Sequence, residues 1–174
     1  MGCDIHCIIE YKHKTINGDR WDSFGYNEIN PGRNYGWFAE LAGVRGSPSG
    51  DRALATGFGI PKDMSFATQM ATTIYVREDN EQSHERSVKR SDADKWVENK
   101  VSTYIENWTR TVNGVEKPYR ITHPDWHSHG WCNIKDWKKS TRGSKNLTIK
   151  AMNAILDTYK KNGCDVRVVF WFDN

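Results

Sequence analysis

The feature that most constrains this chain is its last strand-like run, Val166 to Phe172, which is apolar at consecutive positions rather than alternating ones. A strand with one solvated face alternates, so a run apolar on both faces requires cover above and below, in the middle of a sheet. Its expected neighbour is the first strand. Residues 3 to 11 also read as a strand, with Cys3, Ile5, Cys7 and Ile9 on one face and Asp4, His6, Ile8 and Glu10 on the other. The two are expected side by side at the centre of one domain. That gives an α+β (α/β-type) fold: a single domain over residues 1–174, a central mixed or antiparallel sheet, and about three flanking helices.

The intervening sequence supplies those helices and the turns. Tyr35, Phe38, Leu41 and Ala42 recur at helical spacing, and Gly43 is a plausible stop. Residues 44 to 61 are rich in Gly and read as a long loop. Residues 63 to 71 fit a helix and Thr72 to Arg77 a strand, with polar loop from 78 to 90. Ser91-Asp92-Ala93-Asp94 opens a helix whose apolar face is Trp96, Val97, Val101, Tyr104, Ile105 and Trp108. Asn17-Gly18 and Asn113-Gly114 are hairpin signals, since both residue types tolerate positive φ. Residues 122 to 131 read as a His-rich loop and Leu147 to Lys161 as an amphipathic helix ending at Gly163.

Composition excludes several classes. With 174 residues, eight Trp, seven Tyr and six Phe, the chain can build one real core. No apolar run approaches the ~20 residues of a membrane helix, and no basic-then-apolar leader stands at the N-terminus. The net charge of +3 is spread along the chain, so neither a membrane nor a nucleic-acid partner is indicated. Cysteines stand at 3, 7, 132 and 164 with no CxxC pair, as expected of buried free thiols in a reducing, cytoplasmic setting.

Three constellations could carry chemistry. Asp4 and His6 project from one strand face, about 6–7 Å apart, and can share a metal or act as an acid–base pair. The segment His123-Pro124-Asp125-Trp126-His127-Ser128-His129-Gly130-Trp131-Cys132 concentrates three of the six histidines, and neutral imidazole suits Zn, Mn or Fe. The third group is Arg33, Tyr35 and Trp37, followed by Arg45 and Arg52. Guanidinium forks grip phosphate and aromatic faces stack on bases, although each residue also fits an amphipathic helix with snorkelling Arg at its ends.

Met1-Gly2-Cys3-Asp4-Ile5-His6 resembles the start of a family of small phage and prophage proteins. The resemblance continues through Arg33-x-Tyr35-x-x-Phe38-x-x-Leu41-Ala42-x-Val44-Arg45, Gly59-Ile60-Pro61-x-Asp63-x-Ser65 and His127-Ser128-His129-Gly130-Trp131. Relatives have Arg where this chain has Phe58, and their later motif, His-Ser-x-Ser-Trp, lacks the middle histidine. The resemblance implies a phage or prophage origin and action in the host cytoplasm, but no particular activity.

Together these features lead to the expectation of a metal-dependent hydrolase acting on a nucleotide or phosphorylated small molecule in host-defence signalling. Asp4, His6 and His127 would bind a divalent metal (Zn, Mn or Fe), with Asp125 or His129 as further ligand or general base. Arg33, Arg45 or Arg52 would hold the anion, and Tyr35, Trp37 and Trp131 would line the ligand site. The alternatives are a binding protein that sequesters such a ligand without chemistry, and an inhibitor of a host protein.

Overall fold

The chain's two terminal strands pair with each other. In the computed structural model, which describes residues 2–173, β1 (Ile5–Lys12) and β10 (Asp165–Asp173) run antiparallel, from Ile5 opposite Phe172 to Lys12 opposite Asp165. The chain forms two compact units, one running to Ala71 and resuming at His127, the other spanning Thr72–Trp126.

In the first unit the chain continues through β2 (Asp22–Ser23), α1 (Tyr35–Ala42), β3 (Gly57–Phe58) and α2 (Phe66–Thr72). The second unit holds β4 (Thr73–Arg77), β5 (Ser87–Lys89), α3 (Arg90–Glu98), β6 (Thr109–Val112), β7 (Val115–Pro118) and β8 (Arg120–Thr122). The first then resumes with β9 (Trp126–Asn133), α4 (Ile134–Ser140) and α5 (Leu147–Lys161), ahead of β10. Its sheet has the order β2-β1-β10-β9-β3, so the doubly apolar strand is central.

The two faces of β1 have the expected division. Cys3, Ile5, Cys7 and Ile9 join Val166, Val168, Phe170 and Phe172 in one core, against Phe38 and Leu41 of α1, Trp137 of α4, and Ile149, Met152 and Leu156 of α5. All four cysteines are free and buried. Each of these helices begins at an Asn cap. Asn34 accepts from the Trp37 N–H, Asn133 from Asp136 and Asn146 from Ile149. Gly43 closes α1 in the left-handed conformation, φ 68°.

The opposite face is also buried, and there Ile8, Val169 and Trp171 sit beside buried polar groups. Glu10 is fully buried and takes Arg167 Nε at 2.6 Å, the Thr68 hydroxyl at 2.5 Å and the Ser65 N–H at 2.6 Å. Arg167 reaches on to Asp63 at 2.9 Å and lies over the Trp21 ring, 4.0 Å from its centroid. Charges so deep need this full set of partners, because each would otherwise lose its hydration without replacement.

The second unit has its own small core of Val76, Val88, Ala93 and Ile121, between the sheet β5-β4-β8 and α3. Here the structure differs from the sequence reading. The helix expected to run on to Trp108 ends at Glu98: Lys100 turns to φ 58°, and Tyr104 bridges Ile121 as extended chain. The polar stretch 78–90 contains β5, which pairs parallel with β4. The largest revision lies in the segment 122–131. Most of it is not loop but strand, since β9 begins at Trp126 and pairs with β10 and β3. Its His, Ser and Gly content looks loop-like, yet Gly130 is what lets it pack: a Cβ there would sit 2.6 Å from Phe170 Cζ.

Candidate functional site

The N-terminal motif residues Asp4 and His6 do meet polar partners, but each is already engaged. Asp4 forms a two-pronged ion pair with Arg33, Nε to Oδ1 at 2.6 Å and Nη2 to Oδ2 at 2.9 Å. The arginine's hydrogen bond holds the Asp4 carboxyl below the usual carboxylate range. Gly2 packs so closely that a Cβ would fall 2.0 Å from Arg33 Nη1. Tyr35 accepts from the Cys3 N–H at 3.4 Å. Burial pushes the Cys3 thiol up, and the hydrogen-bonded Arg45 side chain pulls the other way.

His6 lies between two carboxylates, with Nδ1 3.2 Å from Glu28 Oε1 and Nε2 3.0 Å from Asp173 Oδ2. Glu28, helped by Asp173, raises its pKa to about 9 against the opposing effect of burial. The ring is therefore an imidazolium at neutral pH, stacked on Trp171 at 5.7 Å.

His127 is on another wall. Its ring stacks on Phe172, 6.0 Å between centroids, whereas His6 stacks on Trp171. Phe172 and Trp171 are consecutive on β10, so their side chains leave on opposite faces of the sheet. His129 is neutral, pushed down to about 4 by burial and by the neighbouring His127. The Nε2 atoms of both histidines are shielded from solvent and have no hydrogen-bond partner among the described residues. Asp125 belongs to the second unit, where its N–H bonds His123 Nδ1 at 3.2 Å and its carboxylate lies 3.7 Å from the same atom. Among the described residues no group of three or more His, Cys, Asp or Glu side chains is arranged to hold a metal ion.

The aromatic residues of the expected ligand site are mostly packing groups. Trp37 is buried against Phe38 and Trp137, with its Nε1 donating to Ser140 Oγ at 3.4 Å. The Trp131 indole lies under Gly57, where a Cβ would be 2.5 Å from Nε1.

Of the expected residues, Arg52 and Trp37 line open clefts, and the other residues around them were not apparent from sequence. A cleft of about 800 Å³ is formed by the chain from Ser49 to Thr56, together with Glu40, Asp136, Lys139 and Arg142. A second, of about 430 Å³, is formed by Asn34 and Trp37, the connection from Ser140 to Asn146, and Ile149. Arg142 lines both. Both volumes are in the range of small-molecule sites, roughly 300–1,000 Å³.

The smaller cleft is electrostatically one-sided. Its charged lining residues are Arg142 and Lys145, both basic, and neither has an ion pair among the described residues. The cap residues of α1 and α5, Asn34 and Asn146, also line it, so two helix starts add partial positive charge. The signal for it in the sequence is the run Thr141-Arg142-Gly143-Ser144-Lys145-Asn146, a short basic connection with Gly143 at φ 76° leading into an N-capped helix. Comparison with protein-family models, curated proteins and solved structures finds no match to the chain.

Proposed function

We propose that the protein binds a small anionic ligand without chemistry and seats the anionic group in the 430 Å³ cleft between α1 and the α4–α5 connection. The observation that carries this reading is the pair Arg142 and Lys145, unopposed by any carboxylate among the lining residues. An unpaired cation loses little on binding an anion, because no existing salt bridge has to break. By contrast, Asp4, Arg33 and His6 are committed to one another's neighbours, which favours a positioning role for the N-terminal motif over a catalytic one. With the resemblance to phage proteins, binding without turnover corresponds to sequestration of a phosphorylated small molecule.

Calorimetric titration with inorganic phosphate tests the reading. Binding is expected to be at least tenfold weaker in Arg142→Ala and Lys145→Ala than in the parent, and to fall with added salt. Equal affinity in both variants, or no binding by the parent, would overturn it. A phosphorylated ligand is expected to be recovered intact after denaturation, whereas recovery of product would restore the hydrolase.

A further inference from the structure

The larger cleft has a different chemistry from its neighbour, and Arg142 joins the two. We infer that the ligand's body is a hydroxyl-rich group, as in a phosphorylated polyol or sugar, seated in the 800 Å³ cleft while its anionic group occupies the smaller one; this rests on the anion-binding reading above.

The charged residues lining the larger cleft are Glu40, Asp51, Asp136, Arg52, Lys139 and Arg142, three of each sign. Two of the carboxylates are held in fixed orientations through one oxygen. Glu40 Oε1 accepts from the Ser49 N–H at 2.8 Å. Asp136 Oδ2 accepts from the Thr56 hydroxyl at 2.7 Å and from Asn133 Nδ2 at 3.0 Å. Their second oxygens, Oε2 and Oδ1, accept from no donor among the described residues. Oriented carboxylate oxygens beside guanidinium and ammonium donors match a ligand that offers donors and acceptors a few ångströms apart, which is what neighbouring hydroxyls do.

Other bodies fit this wall less well. A second phosphate would meet as many carboxylates as cations here, without the unopposed positive charge of the smaller cleft. An apolar body would strip water from six charges and replace none of their hydrogen bonds. A nucleobase would find no aromatic face, since no Trp, Tyr, Phe or His is among the lining residues.

The full chain is titrated with inorganic phosphate, glucose, glucose 6-phosphate and adenosine monophosphate. Glucose 6-phosphate is expected to bind at least tenfold more tightly than inorganic phosphate and more tightly than the nucleotide, with glucose alone too weak to detect. The ratio of glucose 6-phosphate to phosphate affinity is expected to shrink at least threefold in Asp136→Asn. Asp51→Asn, at an exposed position, is expected to shrink it in the same direction and guards against misfolding of the first variant. If phosphate binds and glucose 6-phosphate gains nothing, or the nucleotide binds most tightly, this inference falls and the anion site stands. If none of the phosphorylated compounds binds, the anion site itself falls.

Discussion

At the scale of single residues, His6 is the most informative. Its neighbours Glu28 and Asp173 come from a loop and from the last strand, and their charges reverse the effect burial would have on an isolated imidazole. A pKa raised from 6.5 to about 9 means that protonation favours the folded state. The contribution is complete below about pH 6.5, where the unfolded chain is protonated as well. It is lost as pH rises from there through about 9. At its full extent it is on the order of 3 kcal/mol. His6→Gln is therefore expected to melt well below the parent at pH 6 and to approach it at pH 10. A gap in melting temperature that stays constant across that range would show that the two carboxylates do not act on the ring. Residue by residue, the sequence identifies Asp4 and His6 as polar groups on the right face. It could not show Arg33, Glu28 and Asp173 arriving to neutralise them, because those partners are 22 to 169 positions away along the chain.

At the scale of elements, patterning predicts the strongly periodic segments well. α5 runs from Leu147 to Lys161 as its apolar spacing and end signals require, and β1 has the alternation that one apolar and one polar face demand. Elements whose stability comes from their neighbours are the ones missed. β9 is held by pairing on both sides and by the room Gly130 leaves for Phe170, and neither cause is local. α2 falls where the helix over 63 to 71 is expected, and its first turn is tied to β1 through the buried Glu10 carboxylate. Arg167→Met would leave that carboxylate charged, buried and short of its main partner, at a cost of about 3–5 kcal/mol. Urea unfolding is expected to show a loss of this size. Hydrogen exchange at Ser65 and Thr68 is expected to quicken more than in α5. If both helices loosen equally, Glu10 does not specifically anchor α2.

At the scale of the whole molecule, the chain leaves one compact unit at Ala71, completes a second, and returns at His127. The termini close the first unit, as the partnership of β1 and β10 requires. Every residue lining the two clefts belongs to that unit. Inorganic phosphate is accordingly expected to slow amide exchange in the α4–α5 connection and the first turns of α1 and α5, and to leave 72–126 unchanged. Protection concentrated in 72–126 would place the ligand in the other unit and remove the basis for the proposed site.

What the sequence determined by itself is the α+β class, the central position of the last strand, its pairing with the first, and the faces of both. These follow from burial requirements written into consecutive side chains, so they can be read without knowing any partner. Tertiary structure decided which polar residues are occupied and which are open. Asp4, Arg33 and His6 look reactive in a list of residues and are already satisfied in the fold. Arg142 and Lys145 look like ordinary surface charge and line a cleft that holds no carboxylate to oppose them. The difference is physical: a side chain's chemistry depends on whether its charge has been met, and the groups that meet it come from distant parts of the chain.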